Sequence, residues 1–160
     1  MTTTKTTEVS AEPGLPFITV IREFDAPAER VYAAHVDPEL FVQWIGPRRL
    51  VTTLDRFEPR SGGSYRFVQS DNEGQSFAFH GSFHELTAPR RMVQTFEYEG
   101  APGHVSLDSA ELEPLDGERC RLTIHSTFQS VEARDAMLQA GMSDGMSEGY
   151  ERLDEVLARG

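Results

Sequence analysis

The stretch SVEARDAMLQAGMSDGMSEGYERLDEVLARG, residues 130–160, decides the fold. Leu138, Met142, Met146, Tyr150, Leu153 and Leu157 recur at steps of three and four, the period of one helical face. Ser130 stands where a capping hydroxyl belongs, with Ala133 where a capping box carries Glu. The spacing predicts one long amphipathic helix. Glu132, Asp135, Asp144, Glu148, Glu151 and Glu155 read as its solvated face.

Upstream the period is two. Strands are expected near 49–59, 63–70, 76–86, 90–99, 104–114 and 118–128, separated by Ser61-Gly62-Gly63, Asp71-Asn72-Glu73-Gly74, Ala88-Pro89, Gly100-Ala101-Pro102-Gly103 and Asp116-Gly117. Short turns between successive strands make an antiparallel meander. Before it, Phe17 to Phe24 reads as a further strand. Asp25 is then expected to cap a helix with Pro27 in its first turn, and Asp37-Pro38 to start a second short helix ending near Trp44. Residues 1–16, Thr-rich and broken by Pro13, Gly14 and Pro16, are expected to be a flexible tail, and 17–160 a single α+β domain. Seven strands and one long helix pack by curling the sheet around the helix stripe.

Composition excludes several function classes. Against 15 bases stand 26 acids, a net charge of −11. That balance repels phosphate backbones and anionic membranes, so no nucleic-acid partner is expected. No apolar run is long enough to span a bilayer, and the N-terminus has no apolar secretion-like stretch. With one cysteine, Cys120, there is no internal disulfide, and a cytoplasmic location is expected. Gly62-Gly63 sits in a hairpin and opens no helix, so it is no phosphate loop. His80 and His84 lie about 13 Å apart along a strand, too far for one zinc ion to reach both. Neither a metal nor a cofactor is expected. His35, His104 and His125 fall in no triad order.

Alternation sorts the strands into faces. Phe77, Phe79, Gly81 and Phe83 share one; Tyr65 with Phe67, Met92 with Gln94, Phe96 and Tyr98, and Cys120 with Leu122, Ile124 and Phe128 share others. These faces are expected to line the concave side. One helix about 10 Å across cannot fill a strongly curved sheet, so a preformed apolar cavity is expected. Its lining would be Phe41, Trp44, Tyr65, Phe67, Phe79, Phe83, Gln94, Phe96, Tyr98, Met142, Met146 and Tyr150, with Trp44 either near the mouth or a rim residue sealing the core. Gly141, Gly145 and Gly149, four apart, suggest a thin helix face, serving close packing or ligand space alike. Met137, Met142 and Met146 add adaptable surface. Asp108 shares alternation with Ala110 and Leu112; a bulge turning it outward is the expected explanation, while an inward Asp108 would be a perturbed acid. Cys120 reads as an inert buried thiol.

The order of elements resembles the SRPBCC superfamily, also called START-like or birch-pollen-allergen-like. Within it the chain is most similar to the group named for the activator of the heat-shock-protein ATPase homologue. The resemblance rests on Arg22-Glu23-Phe24-Asp25-Ala26-Pro27, Asp37-Pro38-Glu39-Leu40, Trp44-Ile45-Gly46-Pro47, Ser61-Gly62-Gly63-Ser64-Tyr65-Arg66-Phe67 and Phe79-His80-Gly81-Ser82-Phe83. It continues in Glu132-Ala133-Arg134-Asp135-Ala136-Met137, Gly141-Met142 and Tyr150-Glu151-Arg152-Leu153-Asp154, covering residues 17–159. It implies a helix-grip fold and leaves function open between carriers, cyclases and co-chaperone modules.

The reading reached is a module that binds and sequesters a hydrophobic small molecule. Residues 93–107 also resemble actinobacterial members, some of which resist enediyne antibiotics by self-sacrifice. Hydrogen abstraction would then fall on Gly81, Gly100 or Gly103. An enzyme of the polyketide cyclase or aromatase kind would need Asp108, Tyr65 or Tyr98 as its acid–base group. A chaperone partner is suggested by the group name alone.

Overall fold

The computed structural model describes residues 5–160. The elements run β1 (Glu8–Ser10), β2 (Phe17–Phe24), α1 (Ala28–Val36), α2 (Pro38–Trp44), β3 (Val51–Phe57), β4 (Ser64–Ser70), β5 (Ser76–Thr87), β6 (Arg91–Tyr98), β7 (Val105–Leu115), β8 (Arg119–Thr127), α3 (Val131–Gln139) and α4 (Met142–Arg159). The strands form one antiparallel sheet in the order β1-β2-β8-β7-β6-β5-β4-β3. The meander is as the turn chemistry predicts. Register shifts between Leu54 and Arg56 on β3 and between Phe83 and Glu85 on β5 mark bulges, which bend strands and tighten their twist. The result is the helix-grip architecture.

Three expectations need correction. The sheet has eight strands, because the segment expected to be a flexible tail contributes β1, with Val9 opposite Val20. The segment is tied down by polar groups that its own text does not reveal. Buried Arg134 on α3 donates to the carbonyls of Glu12 (2.9 Å) and Phe17 (3.2 Å), and Phe128 N–H donates to Pro16 (2.8 Å). The rest of the expected tail, residues 1–4, lies outside the described residues.

The long C-terminal helix is two. Gly141 has φ +87°, a left-handed conformation that ends α3 and starts α4 at no steric cost to glycine. Leu138 therefore belongs to α3, and the stripe on α4 runs Met142, Met146, Tyr150, Leu153, Leu157. Of the three spaced glycines only Gly149 is thin by necessity. A Cβ there would sit 3.2 Å from the Trp44 carbonyl oxygen and 3.3 Å from Gly46 N, so α4 packs backbone-close against the end of α2. Finally, Pro27 occupies the cap position of α1 without a side-chain bond, while the exposed Asp25 pairs with Lys5 (3.0 Å) and Arg119 (3.2 Å). Asp37 and Ser130 cap as expected, accepting from Glu39 N–H and Ala133 N–H.

The core has two parts. The larger one gathers Ile18, Val20 and Phe24 of β2, Leu112 of β7, Cys120 and Leu122 of β8, Val31 of α1, and Tyr150, Leu153, Val156 and Leu157 of α4. The smaller one is Tyr65, Phe67 and Phe83 on β4 and β5. Phe41, Ile45 and Leu86 touch both.

Candidate ligand-binding hollow

The aromatic residues predicted on separate strands do meet on the concave face. Leu54, Phe67, Phe79 and Tyr98 fall in one cross-strand row from β3 to β6. Phe79 stacks on Phe67 (5.2 Å between centroids) and on Phe96 (5.3 Å), and lies 5.2 Å from Tyr98. From α2, Phe41 reaches down to Phe67 (5.6 Å) and Phe57 (5.3 Å). Phe57 had not been singled out; its phase in β3 is hidden by the bulge at Leu54–Arg56.

The predicted lining divides by exposure. Tyr65, Phe67, Phe83, Trp44 and Tyr150 are buried and form the wall behind. Phe41, Phe79, Phe96, Tyr98, Gln94, Met142 and Met146 are only half-buried, though they lie on the side facing the helices. Trp44 is not at a mouth. Its indole N–H donates to the Ala34 carbonyl (2.9 Å), and its ring packs on Tyr150 and His35, 6.0 and 4.8 Å between centroids. Burial pushes the His35 imidazole pKa down, so it is a neutral wedge with Nδ1 on the Val31 carbonyl (2.7 Å).

A partly open recess lined by Phe96, His104, Val105, Ser106, Phe128, Ala133 and Met137 holds about 30 Å³. That is room for a water or two, whereas ligand pockets run to about 300–1,000 Å³. Met137 of α3 lines this recess, and Met142 and Met146 lie half-buried on α4; all three side chains are flexible. A wider open depression of about 510 Å³ lies on the convex face, lined by Ser10, Ala11, Glu12, Leu15, Phe17, Thr19 and His125. No buried polar group points into it, and it has no connection to the aromatic row.

The polar floor of the hollow is better built than its sequence suggests. Asp108 faces inward: β7 runs without a bulge, pairing Asp108 with Gln94 on one side and Ser126 on the other. The expected outward turn is therefore wrong. Its carboxyl is walled in by protein while part of the residue still touches open space, and burial raises its pKa against the opposing hydrogen bonds from Ser126 and Ser106. Tyr65 donates to the Thr95 carbonyl (2.5 Å) and lies against Gln94; burial holds its hydroxyl protonated, as it does for Tyr150. Behind them Arg22, fully buried, makes two bonds to Asp154 of α4 (2.6 and 3.1 Å). Arg22 was overlooked, although it shares the inward phase of Ile18, Val20 and Phe24.

Other candidates fall elsewhere. Gly81 is on the concave face, where a Cβ would meet the Thr95 carbonyl at 2.1 Å and the Tyr65 hydroxyl at 2.6 Å; the tyrosine's seat requires a glycine. Gly100 and Gly103 are exposed in the β6–β7 connection. His80 sits on the outer face between Glu97 (3.3 Å) and Glu99 (2.9 Å). The Cys120 thiol is buried and its pKa pushed up to about 11, so it stays protonated and unreactive at neutral pH.

A family model described as Activator of Hsp90 ATPase homolog 1-like protein matches residues 25–158. The chain belongs to that family. Its members' shared architecture extends to solved structures. A protein from Rhodobacter sphaeroides is 30% identical over 95% of this chain and 99% of its own, with a TM-score of 0.83. One from Arthrobacter aurescens is also 30% identical, covering 96% and 92% at a TM-score of 0.86. One from Mycobacterium smegmatis, at 23% identity and a TM-score of 0.85 over 96% of each chain, shows the fold alone. No curated protein matches the chain. Among the described residues no helix is long and apolar enough to cross a membrane.

Proposed function

We propose that this protein binds and sequesters a hydrophobic small molecule between the aromatic row of β3–β6 and the N-terminal half of α4. One observation carries the reading. Phe41, Phe79, Phe96 and Tyr98 keep accessible surface, whereas Ile18, Val20, Phe24, Leu112 and Leu122 towards the β2–β8 end of the same face are shut off from solvent. Folding leaves oily surface uncovered only where something else covers it or where function needs it. The family's fold commonly takes hydrophobic ligands, which agrees.

Met142 and Met146, half-buried on α4, are flexible side chains that can adapt to a guest. A guest that covers about 200 Å² of apolar surface gains roughly 5 kcal/mol before ordering costs. The polar floor of Gln94 and Asp108 orients it. The test is a thermal-shift and fluorescence titration with a neutral solvatochromic dye. Saturable binding that raises Tm and disappears in Phe79→Ala supports the site. A dye that neither binds nor shifts Tm, or that binds equally to Phe79→Ala, removes it.

A further inference from the structure

The floor of the hollow holds an acid that no cation among the described residues answers. Ser106 Oγ donates to Asp108 Oδ1 at 3.2 Å, and the Ser126 hydroxyl bonds the same carboxyl. Hydroxyl donors fix the carboxyl's orientation without cancelling its charge. Arg22, which shares this face, is committed to Asp154 through both terminal nitrogens and to the Glu23 carbonyl (2.7 Å). The groups facing Asp108 are therefore Gln94, the two serines, the protonated hydroxyls of Tyr65 and Tyr150, and an ion pair already neutral in sum. One negative charge is left over whenever Asp108 ionises.

The walls beside it are aromatic. Phe96 pairs with Ser106 across β6 and β7, which makes it a diagonal neighbour of Asp108, roughly 7–8 Å away between backbones. Phe79 and Tyr98 continue the same surface. Aromatic faces attract cations, and more strongly when water is excluded. A neutral guest would satisfy the rings but leave the carboxylate desolvated, and an anionic one would be repelled. A guest carrying a protonated amine supplies both the charge and a charge-assisted hydrogen bond.

We propose that the guest of the hollow is a monocationic amine with an apolar body, its ammonium held by Asp108 and its body lying against Phe79, Phe96 and Tyr98. The inference rests on the reading of the hollow as a ligand site.

The full chain is titrated by calorimetry with three probes of one shape: naphthylethylamine, naphthylethanol and naphthylacetate. At neutral pH the amine is expected to bind about tenfold or more tighter than the alcohol, and the carboxylate weakest. In Asp108→Asn the amine falls to the level of the alcohol, whose own binding is retained and reports that the hollow is intact. The amine's advantage also shrinks as pH falls and Asp108 takes up its proton. Equal or tighter binding of the alcohol overturns the amine assignment and leaves the hollow standing. So does an amine preference that survives Asp108→Asn, because it then comes from the acidic surface. Failure of all three probes to bind overturns both readings.

Discussion

The two ends of the concave face are built from the same kind of residues but packed differently. At the β2–β8 end, Ile18, Phe24, Leu122 and Leu153 are shut off from solvent, and α1 and the C-terminal half of α4 lie directly on the sheet. At the β3–β6 end, Phe79, Phe96 and Tyr98 face the helices and yet remain half open. The bulges on β3 and β5 fall at this end, and α4 packs backbone-close on the end of α2 at Gly149. One end supplies stability and the other a surface. Substitutions should therefore separate two properties that usually fall together.

The largest effect is expected in the sealed end. Leu153→Ala removes a fully buried side chain and should cost about 2–5 kcal/mol in chemical denaturation, with dye affinity kept under native conditions. Asp154→Ala is next. It leaves Arg22 buried without its carboxylate, and breaking such a pair costs about 3 kcal/mol. Phe79→Ala inverts the pattern: a loss of only about 1–2 kcal/mol, since the ring is half exposed already, but loss of dye binding. Equal stability losses at Leu153 and Phe79 would erase the distinction.

Asp108 sharpens it through pH. Its folded pKa lies above the unfolded value, so the folded state holds the proton more tightly. That penalty is absent below the unfolded pKa of an ordinary aspartate and grows as pH rises through the window up to the folded value. Without ligand, Asp108→Asn should raise Tm at neutral pH and remove that decline, as followed by melting curves across pH. The smallest effect is a glycine contrast. Gly145→Ala places its Cβ in ordinary contact with Pro47 Cδ, at 3.9 Å, and should gain up to about 1 kcal/mol, while Gly149→Ala, pressed on the Trp44 carbonyl, should lose stability.

Much of this was readable from the text, for identifiable reasons. Turn chemistry at Gly62-Gly63, Asn72-Glu73-Gly74 and Asp116-Gly117 set the strand boundaries to within a few residues, and alternation placed Phe79, Phe96 and Tyr98 on one face. What stayed hidden depends on partners distant in sequence. A strand of three residues such as β1 has no periodicity of its own, and Arg134 and Phe128, more than a hundred residues later, anchor the segment that follows it. The left-handed turn at Gly141 looks in sequence like one more helical glycine. Asp108 acquires meaning only from register, which sets Gln94 and Ser126 beside it. The width of the hollow depends on how its side chains lie, and no pattern of residue types records that.

The most direct test of the account follows the methionine methyl groups by NMR while a neutral aryl probe is added. The chain has five methionines: Met142 and Met146 lie half-buried on the N-terminal half of α4 at the edge of the larger core, whereas Met92 is buried within that core at 3% exposure. The account predicts saturable shifts at Met142 and Met146 with Met92 unmoved. Shifts confined to backbone signals of Leu15, Phe17 and Thr19 on the convex face, or no saturable shift anywhere, would contradict it.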